Sequence, residues 1–243
     1  KIRFKTIMVK TIIKNWDNKT WLSSQNYIDS FNNFLIKNIK INSKFKILDI
    51  GCGRGKILGS LSTKLKLKEK PLGIDIVNHK DRDKRINFKR VNILNFSLRK
   101  DQKFDLILIK QTIHLMKFDE IKRLLKLLKK KLNPNGKIFI FTLDTGKNEI
   151  PTFKLMKLKL NQSLQRDRKI LKIITNLYPY RIKKKFIFNA KISKKKYLKM
   201  VKSRYISTLI PFSKKQLDQG IQEIELRYKN VLKFKDKLIC IIL

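Results

Sequence analysis

Cysteine and histidine are scarce, with two of each in 243 residues. Cys52 lies among glycines and Cys240 in a terminal apolar run, so the chain has neither a disulfide framework nor a metal-ligand spacing. No metal is expected, and the setting expected is reduced and cytoplasmic. No apolar run reaches the roughly eighteen residues that a membrane span requires. Lys1 to Lys14 is basic and partly apolar but lacks a continuous apolar region and a small-residue cleavage site, so it makes a poor signal peptide. Alanine occurs once, at Ala190, and acids are few: 18 against 60 lysines and arginines, for a net charge of +42. Such a charge suits a polyanionic partner, either nucleic acid or an anionic membrane surface. Only 12 of the 60 basic residues are arginine, however, and the lysines are spread along the chain with no basic tail. Isoleucine and asparagine are plentiful, as in an AT-rich coding sequence, whereas a nucleic-acid footprint clusters on one face. Nucleic acid is therefore the alternative partner and not the favoured one.

What is present is organised around Lys46-Ile47-Leu48-Asp49-Ile50-Gly51-Cys52-Gly53-Arg54-Gly55-Lys56-Ile57-Leu58. This reads as a short apolar strand, a turn with glycines at alternate positions, and the start of a helix. Glycine permits positive φ and close approach of a ligand to the backbone, while a helix start offers unpaired N–H groups. The spacing differs from the G-x-G-x-x-G of dinucleotide sites, and Asp49 stands two residues before the first glycine. A carboxylate there repels a pyrophosphate and attracts a cationic ligand.

Strand, acid and G-C-G-R-G turn together resemble the first motif of class I S-adenosylmethionine-dependent methyltransferases, whose cofactor carries an ammonium and a sulfonium and no phosphate. The resemblance covers about residues 23–143 well and the remainder loosely. It implies an α/β, Rossmann-like fold: a seven-stranded, mostly parallel sheet of order 3-2-1-4-5-7-6, its last strand antiparallel, between helix layers and with a helical substrate cover. One domain is expected over residues 1–243, with residues 1–40 as an N-terminal lid and helix and residues 144–183 as a helical insertion over the substrate site. The implied cofactor is S-adenosylmethionine, cradled by Asp49, Gly51, Cys52, Gly53 and Gly55.

Further along, Pro71 to Ile76 reads as the second strand, with Asp75 placed 24 residues after Gly51. An acid about 20 residues beyond the glycines accepts ribose hydroxyls in doubly wound nucleotide sites. Asp75 takes that role, beside Ile76. Ile86 to Arg90 is the third strand. Asn92 falls where the family usually has an acid facing the adenine amino group; its side-chain carbonyl can accept the same bond, with Ile93 against the adenine face. Asp81 and Asp83 read as solvated loop charges. Phe104 to Ile109 is the fourth strand, and its exit, Lys110-Gln111-Thr112-Ile113-His114, is where an open α/β sheet binds ligands. Lys110 is assigned to the cofactor, which its backbone can line, or to a carboxylate of the substrate; a solvated lysine is the structural alternative. His114, with an unperturbed pKa suited to proton transfer, is the candidate base or acceptor contact; packing between Ile113 and Leu115 is the structural alternative.

Asp119 is the expected N-cap of the next helix, Asn133-Pro134-Asn135-Gly136 stops that helix, and Lys137 to Leu143 is the fifth strand. Residues 144–183 suggest helices joined by polar turns. Lys185 to Ile192 is strand six, a helix from Ser193 carries Tyr197, Val201, Tyr205 and Leu209, a Ser213/Gln216 capping box opens the last helix, and Lys237 to Leu243 closes the sheet. Trp16, Trp21 and Tyr27 are candidates to cover the substrate, or equally to pin the terminal helix; Arg204 and Tyr205 are weaker candidates for the acceptor pocket.

Certain methyl acceptors are disfavoured. Ile109-Lys110-Gln111-Thr112 lacks the Pro-Pro-aromatic signature of adenine amino methylation, and neither cysteine is placed for cytosine C5 chemistry or numerous enough for arsenite. The reading is methyl transfer to a small molecule, an anionic metabolite in view of the basic surface. An RNA- or ribosome-directed methyltransferase and a non-catalytic cofactor-binding protein are the alternatives.

Overall fold

A computed structural model describes residues 20–40, 42–99, 102–146 and 148–243. Trp16 and the basic stretch over residues 1–14 lie outside the described residues. Seven strands, β1 (Ile47–Ile50), β2 (Leu72–Asp75), β3 (Asn87–Arg90), β4 (Phe104–Lys110), β5 (Leu132–Leu143), β6 (Ile182–Ser193) and β7 (Val231–Ile242), form one sheet. Their order is β3-β2-β1-β4-β5-β7-β6, as expected. β1 pairs in parallel with β2 and β4, and β4 with β5, while β7 runs antiparallel to β5 with Phe141 opposite Cys240. All four residues of β1 are buried, because a central parallel strand is covered on both faces.

Helices α1 (Gln25–Asn38), α2 (Lys56–Leu65), α3 (Ile93–Ser97), α4 (Phe118–Lys130), α5 (Lys154–Leu177), α6 (Lys194–Lys202) and α7 (Lys214–Arg227) flank the strands. In α4, Ile121, Leu124, Leu125 and Leu128 form the buried stripe. Its start differs from the expectation at Asp119: Lys117 is the capping position, and the Glu120 carboxylate reaches back to accept the Lys117 N–H at 2.9 Å. Asp119 lies inside the first turn, where an acid complements the helix dipole. α5 is one continuous helix of 24 residues rather than several. It contains no proline or glycine, and its polar run Asn161-Gln162-Ser163 lies on the solvent side instead of forming a turn.

Three ends also shift. β5 begins at Leu132, and its pairing with β4 slips between Phe104↔Leu132 and Leu106↔Lys137, which absorbs the Asn-Pro-Asn-Gly stretch. α6 stops at Lys202, and Arg204 follows with φ of 55°, so Tyr205 and Leu209 lie beyond the helix. β7 starts at Val231, earlier than Lys237. The Ser213/Gln216 capping box is present, with the Gln216 N–H donating to Ser213 Oγ at 3.2 Å and the Ser213 N–H to Gln216 Oε1 at 2.9 Å.

The chain divides into two compact units. The larger holds Ile28–Asp144, Arg166–Phe186 and Leu238–Leu243. Its core is an aliphatic cluster that includes Leu48, Ile107, Ile109, Ile138, Ile140 and Ile241. The other holds the described residues up to Tyr27, Thr145–Gln165 and Ile187–Lys237. It is built on aromatic packing: Trp21 meets Phe234 edge-on at 5.0 Å and Tyr205 at 5.3 Å, and its indole N–H donates to buried Asp236 at 2.9 Å.

Candidate active site

The site is assembled at the C-terminal ends of β1, β2 and β4, in the larger unit. Beyond Ile50 the backbone alternates into the left-handed region at Gly51 (φ 72°), Gly53 (φ 53°) and Gly55 (φ 68°). The turn is held down by Gly51 N–H to Ile74 carbonyl (2.8 Å) and Cys52 N–H to Ile74 carbonyl (3.2 Å), so it is anchored on β2. Two of these glycines differ in what a side chain would meet. A Cβ on Gly51 would stand 2.2 Å from Thr112 Oγ1, on the β4 exit. A Cβ on Gly53 would meet nothing within 4 Å and would enter open space above the turn. The first glycine is required by packing, whereas the second leaves room for a ligand.

Asp75 ties this turn to the loop after β2. One carboxylate oxygen accepts the Gly53 N–H and the other the Val77 N–H, each at 2.9 Å. Each oxygen retains a lone pair for a further donor. Asp49, at the end of β1, is only 5% exposed. Burial pushes its pKa up to about 7, opposed by the charge of Lys110 and reinforced by that of Asp75. Lys110 closes β4, half-buried, with its ammonium 5.7 Å above the Phe31 ring. Cys52 contributes its backbone to the turn, and its thiol packs where a Cβ on Gly73 would fall, at 2.7 Å. Burial and the nearby Asp49 and Asp75 raise the thiol pKa, so it stays protonated and unreactive.

The remaining predicted residues are less uniform in their surroundings. Ile76 is 58% exposed beside Asp75. Asn92 caps α3: its side-chain carbonyl accepts the Leu94 N–H at 2.8 Å, so one of the two lone pairs assigned to adenine is already used. Ile93 is half-buried against the core. His114 lies in the short 3-10 turn Ile113–Leu115, and burial, with the charge of Arg166, lowers its pKa to about 4. Arg166, which the sequence did not single out, fixes this turn by donating to the carbonyls of His114 (3.0 Å) and Met116 while lying 4.6 Å over the Phe118 ring. Asp81 is an exposed loop charge, as expected, that also pairs with Arg54 of the glycine turn at 2.7 Å, whereas the Asp83 side chain is largely covered and pairs with Arg85 at 2.6 Å.

In the other unit, Trp21, Tyr27 and Tyr205 are buried in packing contacts, and Tyr205 shares a hydrogen bond of 3.0 Å with Tyr197. Tyr27 meets Phe188 edge-on at 5.0 Å. Arg204 donates to the Phe212 carbonyl at 2.8 Å. Among the described residues, no three His, Cys, Asp or Glu side chains gather as a metal site, and no helix is long and apolar enough to cross a membrane.

Residues 47–136 match the family model of a methyltransferase domain. No curated protein matches the chain by sequence. Solved structures share the fold. A candidate methyltransferase from an antibiotic biosynthesis pathway of Anabaena variabilis aligns with a TM-score of 0.61 at 13% identity, over 86% of this chain and 95% of its own. A S-adenosylmethionine-dependent methyltransferase of Geobacter sulfurreducens, solved with S-adenosylhomocysteine, aligns at 0.52 with 12% identity, over 90% and 91%. A precorrin 8W decarboxylase of Methanobacterium thermoautotrophicum aligns at 0.50 with 11% identity, over 87% and 88%.

Proposed function

We propose that the protein is a class I, Rossmann-like S-adenosylmethionine-dependent methyltransferase, a reading supported by the match of residues 47–136 to the model of a methyltransferase domain, and that it transfers a methyl group to a small-molecule acceptor. The observation that carries this reading is the cradle itself. Open space above Gly53 lies between a carboxylate with lone pairs to spare, Asp75, and a buried acid that lacks a full counter-charge, Asp49. A nucleoside with a cationic amino-acid end satisfies both. Asp75 accepts ribose hydroxyls and Asp49 faces the ammonium, while the Gly51 to Gly55 turn admits the ligand closely. Ile93 and Asn92 flank the base, and Lys110 holds the Asp49 charge when no ligand does.

S-adenosylmethionine supplies an electrophilic methyl group. The chain has to align the acceptor with that group and exclude water. His114, neutral at physiological pH because burial lowers its pKa to about 4, serves as a hydrogen-bonding contact for the acceptor and is a weak proton sink. Arg166 keeps the His114 turn in place through its carbonyls. The basic surface favours an anionic metabolite as acceptor. A second reading, an RNA-directed enzyme, draws on Lys194, Lys195, Lys196, Lys199 and Lys202, five lysines in the nine residues of α6. It requires label transfer to RNA and binding that falls steeply with salt.

Calorimetry with S-adenosylhomocysteine, followed by methyl-labelled cofactor and fractionated cell extract, tests the proposal. We expect binding to the wild type, binding weakened at least about tenfold in Asp75→Ala, and label in the metabolite fraction. His114→Ala should bind normally and transfer slowly. Indifference to S-adenosylhomocysteine alongside binding of a dinucleotide overturns the assignment; cofactor binding with no label transfer anywhere leaves a binding protein.

A further inference from the structure

α5 buries one face along its whole length, at Met156, Leu160, Leu164, Asp167, Ile170 and Ile174. Five of these positions are apolar, and Ile170 and Ile174 pack into the core of the larger unit with Ile113 and Met116. Asp167 is the exception. It is 5% exposed and falls where the helical period calls for another aliphatic side chain. Among the described residues no hydrogen bond or ion pair holds its carboxylate. The adjacent Arg166 gives its bonds to the His114 and Met116 carbonyls instead. Its carboxylate oxygens are not among the water-excluded, unpartnered atoms of the described residues, so a small opening reaches them; an acid kept at such an opening on an otherwise apolar face works against the local pattern and points to function.

Its location agrees. Arg166 anchors the segment leaving β4, and Thr112 of that segment fills the place beside Gly51 where a Cβ would stand. The helical turn that carries Asp167 is thereby held beside the segment that bears His114, at the end of the sheet where ligands of open α/β sheets bind. We propose that Asp167 is the proton acceptor of the transfer step, and that the methyl acceptor is a neutral hydroxyl or amine. The inference rests on the methyltransferase reading. As the acceptor's lone pair forms the new bond to the methyl carbon, the carbon–sulfur bond breaks with its electron pair going to sulfur. The acceptor's O–H or N–H proton passes to the Asp167 carboxylate, leaving a neutral carboxylic acid and a methylated oxygen or nitrogen that carries no charge. Burial raises the Asp167 pKa to about 6, against the charge of Arg166, so the group is ionised at neutral pH and takes a proton more readily than His114.

Two experiments test this. In the first, wild type and Asp167→Asn are compared for S-adenosylhomocysteine affinity, unfolding midpoint, and label transfer from methyl-labelled cofactor to fractionated extract. We expect affinity within twofold, a midpoint no lower, and transfer reduced at least tenfold. Equal transfer by the variant overturns the role of Asp167 while leaving the methyltransferase reading intact. Wild-type protein that binds S-adenosylhomocysteine and transfers no label overturns it too, and failure of the wild type to bind S-adenosylhomocysteine removes the reading beneath it. In the second, the folded wild type is treated with a water-soluble carbodiimide and glycinamide and mapped by mass spectrometry. Labelling at Asp167 in the native state shows a carboxyl that a small molecule reaches and supports the role; labelling only after unfolding overturns it, whatever the variant does.

Discussion

Replacing Asp49 with asparagine exchanges a buried carboxylate for a neutral amide of the same shape, and the consequence can be worked out for stability and binding together. The folded protein raises the pKa of this acid from 3.8 to about 7. Since the folded state holds the proton more tightly than the unfolded chain, Asp49 costs nothing below pH 3.8 and increasingly destabilises as pH rises toward 7. At about 1.4 kcal/mol per pH unit, the full cost above pH 7 is about 4 kcal/mol, of which about 2 to 3 kcal/mol develops between pH 5 and pH 8. Urea unfolding of wild type and Asp49→Asn across that window isolates the contribution, because the other titrating groups are common to both proteins. The wild type should lose stability relative to the variant as pH rises, with the variant ahead at pH 8. Binding should move in the opposite direction. A cationic ligand end offsets the buried charge, so S-adenosylhomocysteine should bind the variant at least about tenfold more weakly. At pH 6 its binding to the wild type should expel protons, seen as a dependence of calorimetric heat on the buffer. Parallel pH profiles in the two proteins, or equal affinities, would refute the electrostatic account of the site.

The two informative glycines should separate. Gly53→Ala meets only the strain of its positive φ, about 1 to 2 kcal/mol by urea midpoint, yet should abolish measurable S-adenosylhomocysteine binding because its Cβ enters the open space above the turn. Gly51→Ala adds a clash with Thr112 to comparable strain and should lose distinctly more stability; the reverse ranking would misplace the cradle. Trp21→Phe removes the indole donor from buried Asp236 and should cost about 1 to 3 kcal/mol in the same assay, whereas an unchanged midpoint would make that bond incidental.

The positions of the early strands and the shape of the glycine turn were legible because they are written in local pattern, whereas the order of the strands was implied only by the family resemblance. Apolar runs of four to seven residues bounded by turns, and glycines at positions 51, 53 and 55, constrain the backbone within a few neighbours. Asp75 and Lys110 could be placed for the same reason, since the end of a parallel strand fixes where its last side chain stands. Asn92 was only half legible. Its type was visible, but its duty as the cap of α3 depends on where that helix starts.

What only the tertiary structure decided involves partners distant in the chain. Trp21 meets Asp236 across 215 positions, and Arg166 reaches His114 across 52, so neither side chain announces its role locally. Burial is collective in the same way. An aspartate in the sequence is an ordinary solvated acid until other segments exclude water from it, and Asp49 and Asp167 acquire their raised proton affinities through that exclusion, His114 its lowered one. The sequence by itself determined the cradle, because backbone conformation is a local property; the structure decided the electrostatics, because desolvation is set by everything that packs around a charge.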